Sequence, residues 1–376
     1  MTPSCPALLL LALSLAAFVT LCVLRGAPMA DLLVYRAEGA AVAHGTALYG
    51  FTVTEWHLPA TYPPFAAILF VPAVWLPVPV LKALFLAGNV LLLATLVALS
   101  ARLANRALPP SLLCTATALA LWLEPVFQTL LFGQINLALA CLVLWDLTRP
   151  AGARAKGLAL GMAAGVKLTP AVFMAYLLLR GRVREAATAG AAFAGTVALG
   201  AVLLPSASVD FWTRRLYETG RVGKAWIVDN QSLRGLVARA LGDPAPGLAW
   251  ALPAVLVAVV GLGLAARTRR ESHGVLLTAC TALLVCPISW THHWVWCVPL
   301  LAVLLAEGRI RTAVLVTLVF TARTMWLVPH EGARDLELPW WQQPLAAAYP
   351  LLALGLLISY DSVTSRCAPV PASGPR

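Results

Sequence analysis

Asp31 and Tyr35 lie four residues apart, just beyond a first apolar run. They open the polar and aromatic stretch DLLVYRAEGAAVAHGTALYGFTVTEWHLPATY, residues 31–62. A carboxylate at the mouth of a cleft can serve as general base for a hydroxyl nucleophile, and Tyr35 and Arg36 follow Asp31 by one helical turn. Acids outside apolar segments are most often solvated surface. Asp31 differs in context, since it stands where a chain leaves an apolar layer. The stretch also holds Glu38, His44, Tyr49, Trp56 and His57, and ends in Tyr62-Pro63-Pro64. Proline in a first helical turn loses no hydrogen bond, so that triplet reads as a helix start.

Other polar residues interrupt apolar runs further along. Gln134 and Asn136, in FGQIN, place two amides where each needs a partner: helix-to-helix glue or the lining of a polar cleft. Lys167, in GVKLTP, lies mid-run, where a charge costs at least a few kcal/mol. It calls for a water-filled or anion-holding cavity, or an ion pair between helices. His292 and His293, in PISWTHHW, are adjacent and cannot share one helix face, so a metal site from these two alone is weak. They suit donation to a leaving phosphate, and Arg323 and Arg214 offer the planar fork that binds phosphate. Asn230, Gln231 and Ser232 supply amides and a hydroxyl suited to sugar hydroxyls. For the histidines and arginines the plainer reading is interfacial anchoring, with Trp290, Trp294 and Trp296 as part of the belt.

What must position these residues is set by composition. The 376 residues are 60% hydrophobic and 11% charged, against about 25% charge in a soluble domain. Long continuous apolar runs point to a polytopic all-α membrane protein and away from a β-barrel. The length criterion of roughly 20 apolar residues per crossing places spans near 6–24, 63–79, 81–101, 109–124, 127–147, 157–179, 186–205, 246–266, 274–289, 292–306, 312–328 and 344–360, about twelve. The run at 6–24 lacks a basic flank and reads as the first span, not a signal peptide. The net charge of +11 marks cytoplasmic loops facing anionic lipid, not nucleic acid. Clusters at Arg180–Arg184, Arg267–Arg270 and Arg309–Arg311 are mutually consistent with a cytoplasmic side. That puts residues 25–62 and 206–245, and the Trp290–His293 corner, outside. Arg102 with Arg106, and Arg149 with Arg154 and Lys156, then fall on the wrong side. A re-entrant pair around Gly165–Pro170 would return the second group but break the parity elsewhere. Residues 1–360 read as one transmembrane domain and 361–376, rich in Pro and Ser, as a disordered cytoplasmic tail. Eight scattered cysteines without CxxC spacing support neither zinc nor a disulfide framework.

An acid followed by Tyr after the first span, then Tyr-Pro-Pro, Gly-Gln-x-Asn, Lys-Leu-Thr-Pro, Asn-Gln-Ser and a late Ser-Trp-x-His-His, resembles glycosyltransferase family 87. Those are actinobacterial α-(1→2) mannosyltransferases of GT-C fold, and the likeness runs from Asp31 to about His293. The resemblance implies a plasma-membrane enzyme with its active site, built by outer loops, on the extracytoplasmic face. It would move mannose from polyprenyl phosphomannose to a phosphatidylinositol mannoside, lipomannan or lipoarabinomannan. It implies Asp31 as the base. In the same reading Lys167, His292, His293, Arg323 and Arg214 are candidates for the donor phosphate. Tyr35, Arg36, Tyr62, Gln134, Asn136, Asn230, Gln231 and Ser232 are candidates for sugar and acceptor. No DxD-type site is present, and no metal or other cofactor is expected. At 376 residues the chain is shorter than typical members. The other readings are a GT-C transferase for another polyprenyl-linked sugar such as arabinofuranose, a lipid-linked sugar flippase, and a non-catalytic polyprenol-binding subunit. A flippase would show charges along a path to both faces and inverted repeats.

Overall fold

The computed structural model describes residues 2–364. The segment expected as a disordered tail lies, from residue 365, outside the described residues, and 361–364 continue the last helix. In chain order the α-helices are α1 (Cys5–Leu24), α2 (Ala30–His44), α3 (Pro64–Phe70), α4 (Val78–Leu103), α5 (Pro110–Ala120), α6 (Glu124–Phe132), α7 (Asn136–Leu147), α8 (Leu158–Val166), α9 (Val172–Leu179), α10 (Val183–Leu203), α11 (Pro205–Asp210), α12 (Leu233–Leu241), α13 (Gly247–Arg267), α14 (Glu271–Val285), α15 (Cys297–Ala306), α16 (Ile310–Ala322), α17 (Gln343–Ala346) and α18 (Ala348–Thr364). Among the described residues the only strands are the two-residue pair Thr52–Val53 and Leu58–Pro59. This is the all-helical polytopic architecture that the composition implies. By length and composition α1, α4, α10 and α13 qualify as full spans, with α5 and α6 a fifth if that pair, bent by 77°, is one crossing. The other apolar helices are shorter.

Two expected spans are built otherwise, and this brings the basic groups to one end of the bundle. The run at 63–79 is α3 followed by a 3-10 turn, Val71–Trp75, with Pro72 and Pro77 stopping further helix. Both its ends sit beside the Asp31 region: Tyr62 reaches Gln134 (3.3 Å), and Lys82 Nζ donates to the Ala27 and Pro28 carbonyls (3.3 and 3.0 Å). The run at 157–179 is a hairpin of two short helices broken at Lys167 (φ −148°, ψ 130°). Its ends stay together at the opposite extremity, where Asp146 accepts from Gly157 N at 2.9 Å and Arg180 donates to the Thr268 carbonyl at 2.5 Å.

Each of these two segments returns to the end of the bundle from which it starts. Arg102, Arg106, Arg149 and Lys156, expected on the side away from the other clusters, share one end of the bundle with them. Arg106 donates to the Ala306 carbonyl (2.6 Å), Arg182 pairs with Glu271 (2.5 Å) and Arg270 with Glu307 (2.6 Å). We call this the basic end and the other the site end.

Small residues let these helices approach. Gly157, Gly161 and Gly165 form a stripe along α8, and a Cβ at each would overlap Glu185 O, Ala189 O and the Thr196 hydroxyl of α10. Gly261 of α13 meets Thr281 of α14 in the same way. Lipid offers no hydrophobic drive between helices, so close van der Waals packing over small residues carries the association.

Candidate active site

The helix α2 begins abruptly. Met29 is left-handed (φ 43°), its N–H bonds to the Leu131 carbonyl (3.2 Å), and Asp31 falls in the first turn, where a carboxylate faces the positive end of the helix dipole. Thus 31–62 is not simply a loop: its first half is helix, lying at the site end. The seat for α2 is Gly133, itself left-handed (φ 68°), whose missing Cβ would lie 2.9 Å from Leu32 Cβ. That glycine ends α6 and turns the chain so that Gln134 faces α2.

Tyr35, one turn after Asp31, is buried. Its hydroxyl lies 2.9 Å from both the Tyr62 hydroxyl and Gln134 Oε1, and the Tyr62 hydroxyl lies 3.3 Å from the same oxygen. With its oxygen so occupied, the Gln134 amide is left near the Asp31 carboxylate, whose charge it favours. Asp31 keeps part of its surface open to the cleft. Burial nevertheless raises its carboxyl to about 6; the Gln134 amide and the Lys167 charge pull it down, and the nearby charge of Asp229 pushes it up.

Tyr62 is delivered by residues 60–62, held at several points. Thr61 N–H donates to Glu38 Oε1 (3.1 Å), Tyr49 Oη donates to the Tyr62 carbonyl (2.9 Å), and Arg221 donates to the Ala60 carbonyl at 2.5 Å. Glu38 is fully buried and its Oε2 has no hydrogen-bond partner among the described residues. Burial lifts its carboxyl to about 8, against backbone hydrogen bonds that lower it.

Lys167 occupies the break between α8 and α9. Its Nζ lies 3.1 Å from Asn136 Oδ1, 3.0 Å from His293 Nε2 and 5.5 Å from the centre of the Tyr62 ring. An ammonium has no lone pair, so His293 Nε2 is the acceptor and its proton rests on Nδ1. Asn136 also donates to the His292 carbonyl (3.0 Å), as does Thr129 (3.1 Å), which locks the 3-10 turn Thr291–Trp296 against α6 and α7. The His292 ring packs edge-on to Phe132 and His293, buried, and neither ring nitrogen has a partner among the described residues. Below Lys167, Asn136 and His293 an apolar slot runs between α7, α9 and α14, walled by Leu139, Val143, Phe173 and Leu283.

Asp31, Tyr35, Tyr62, Gln134, Asn136, Lys167, His292 and His293 therefore converge. The remaining candidates lie elsewhere. Arg36 turns away to the Val74 carbonyl (3.4 Å). Arg214, on a π-helical turn Phe211–Arg215, is half exposed and paired with Asp210 (3.2 Å) and Glu218 (3.5 Å). Arg323, left-handed at the end of α16, stacks over Phe127 at 4.2 Å.

Asn230, Gln231 and Ser232 are buried staples. Asn230 Nδ2 donates to Ala225 and Pro287 carbonyls, and its Oδ1 accepts from Ser232 and Ser289 N–H. Gln231 Nε2 donates to Val228 and Ala346 carbonyls, and its Oε1 accepts from Tyr349 N–H. Ser232 caps α12 through Gly235 N–H (3.2 Å). These bonds tie the 206–245 segment to the Pro287–Trp294 corner. Two acids escaped the candidate set. Asp229 accepts from the Thr291 hydroxyl and N–H (2.6 and 3.2 Å), and Glu124 from Tyr349 Oη (2.7 Å). Glu124 had a legible signal, an acid inside an apolar run. Among the described residues no group of three His, Cys, Asp or Glu side chains is placed to hold a metal.

A partly buried carboxylate and a lysine-headed pocket lie together at one end of an apolar helical bundle, an arrangement that fits a membrane glycosyltransferase. The family model "Glycosyltransferase family 87" matches residues 60–289, and the chain belongs to that family. It is 34% identical over 370 residues to the polyprenol-phosphate-mannose-dependent alpha-(1-2)-phosphatidylinositol mannoside mannosyltransferase of Mycobacterium tuberculosis (strain ATCC 25618 / H37Rv), covering 90% of this chain and 86% of that one. It is 36% identical over 316 residues to the corresponding phosphatidylinositol pentamannoside mannosyltransferase of Mycobacterium tuberculosis (strain CDC 1551 / Oshkosh), covering 81% and 73%. The mannoside enzyme of Mycolicibacterium smegmatis is 32% identical, with 89% and 84% covered. No solved structure matches the chain.

Proposed function

We propose that this chain transfers mannose from polyprenyl phosphomannose to a mannosylated phosphatidylinositol or lipoglycan acceptor, forming an α-(1→2) bond with inversion. The observation that carries the reading is the placement of Lys167 and His293 at the head of an apolar slot, facing Asp31 across Gln134 and Tyr62. A lipid chain in the slot brings its phosphate to the ammonium. The acceptor hydroxyl attacks C1 of the β-linked sugar in line, and its proton passes to Asp31. The C1–O bond to phosphate breaks, and the electron pair stays on the phosphate oxygen. Lys167 stabilises that developing charge in a site largely shielded from water. The open nitrogens of His292 lie beside it as further phosphate contacts.

The gathering of basic residues at the far end supports a cytoplasmic basic end and an extracytoplasmic site, because Lys and Arg collect on the cytoplasmic side. The names of the relatives favour mannose over arabinofuranose. The test is transfer of radiolabelled mannose from polyprenyl phosphomannose to a panel of mannosylated lipids in proteoliposomes, with and without EDTA. Wild type and Asp31→Asn are compared. Transfer that survives EDTA and disappears in Asp31→Asn is expected. Undiminished transfer by the variant removes Asp31 as base, and movement of donor across the bilayer without transfer replaces the enzyme with a flippase.

A further inference from the structure

The basic end contains a cleft of about 660 Å³ that the proposed reaction does not use. Its walls come from the end of α4 and the turn after it (Arg102, Asn105, Arg106), the start of α14 (Arg269, Arg270, Ser272) and the end of α15 (Glu307). From Lys82 at the site end to Arg102, α4 advances twenty residues, about 30 Å at 1.5 Å per residue.

Four guanidiniums face this cleft against two carboxylates, and the carboxylates are already engaged. Glu271 pairs with Arg182 from outside (2.5 Å), and Glu307 bridges Arg270 and His273 at 2.6 Å each. Arg106 is held by the Ala306 carbonyl, which satisfies one donor and leaves its charge uncompensated. Arg102 and Arg269 have no carboxylate within salt-bridge distance among the described residues, and both are exposed. A general excess of positive charge on one face does not require convergence, yet here arginines from separate elements meet in one hollow. All four are arginine, whose planar fork fits phosphate oxygens in pairs.

The geometry points to a binding site for a phosphate group in this cleft, supplied by an anionic phospholipid headgroup of the leaflet at the basic end or by free phosphate. Basic pockets between membrane helices have the charge and depth to take such headgroups. The occupant would tie α4, α14 and α15 together far from the reacting atoms.

The test uses the full-length protein in phosphatidylcholine nanodiscs, alone, with a minor fraction of phosphatidylglycerol, or with inorganic phosphate. Thermal stability and lipid retained in native mass spectrometry are read. A stability gain with phosphatidylglycerol only assigns the headgroup, and a gain with inorganic phosphate assigns free phosphate. The combined change Arg102→Gln and Arg269→Gln is expected to weaken either gain about thirtyfold in ligand concentration, since two charged contacts are lost. Mannosyl transfer measured without anionic lipid should be unchanged. Should the glutamine pair not fold, Arg102→Lys with Arg269→Lys keeps the charge and loses the fork, and a severalfold weakening is expected. No gain from either ligand in wild type, or an equal gain in the substituted protein, overturns the proposal.

Discussion

The sharpest prediction concerns how activity depends on pH, because burial moves the proposed base, Asp31, into an accessible range. An ordinary aspartate, near 3.8, is almost wholly ionised at pH 5, whereas Asp31 is raised to about 6. A base acts in its ionised form. On a single titration at about 6 the ionised fraction is about 90% at pH 7 and about 10% at pH 5. The acid limb of kcat/KM should therefore fall about ninefold between those values, where an unshifted aspartate would lose only a tenth or so. The neighbours give an internal control. Lys167 and Gln134 both lower the Asp31 carboxyl, so Gln134→Leu should move the limb upward. Asp31→Asn should reduce transfer by about 10²–10⁴ and abolish the limb. The assay is initial-rate transfer of labelled mannose in proteoliposomes from pH 4.5 to 8, at donor well below KM, where kcat/KM reports the free enzyme. A limb near pH 4, or one unmoved in Gln134→Leu, would refute the account of Asp31 as a desolvated base steadied by that amide.

Other expectations rest on separate features. Lys167→Met should lower kcat/KM by about 10²–10³, the scale of losing one charge-stabilising donor, and the loss should persist across the pH range. Glu38, raised from 4.5 to about 8, contributes stability that is complete below the unfolded value and is lost as pH rises through 8; Glu38→Gln should flatten the decline of Tm between pH 5 and 8. Gly133→Val should combine about 1–2 kcal/mol of left-handed strain with a clash against Leu32, displacing Asp31, so kcat should fall more than Tm alone explains. Gln231→Leu removes the partners of the Val228 carbonyl and the Tyr349 N–H, at about 1–3 kcal/mol each, while the Ala346 carbonyl keeps Arg239 (3.3 Å); it should lower Tm by several degrees while leaving the pH limb in place.

Most of the residues that converge in the candidate site were legible as polar residues that interrupt apolar runs. Asp31, Gln134, Asn136, Lys167, His292 and His293 stand out because hydrocarbon gives them no other excuse, and the structure gathers all six. Pairing was not legible. Asn230, Gln231 and Ser232 look like sugar ligands by type, yet whether an amide faces a ligand or a backbone carbonyl depends on chain crossings that no local pattern encodes. Element lengths failed for a similar reason. Counting apolar residues treats 157–179 as one crossing, since a stiff rod and a hairpin have the same hydropathy. Only the pairing of Lys167 and the glycine stripe of α8 against α10 separates them. The helix at 30–44 was hidden because its role as a platform, not a span, leaves it a mixed composition.

That glycine stripe has a consequence for how the protein is made. An insertion machinery reading one segment at a time meets residues 158–179 as a single apolar length with one lysine near its middle, and at about twenty residues it satisfies the requirement for crossing. The hairpin lacks its α10 surface until α10 has been synthesised, because Gly157, Gly161 and Gly165 pack closely on that helix. The break that places Lys167 near Asn136 and His293 therefore gains its α10 packing only after α10 has been made. Substituting bulk into the stripe would act on topology during biogenesis as well as on the finished fold.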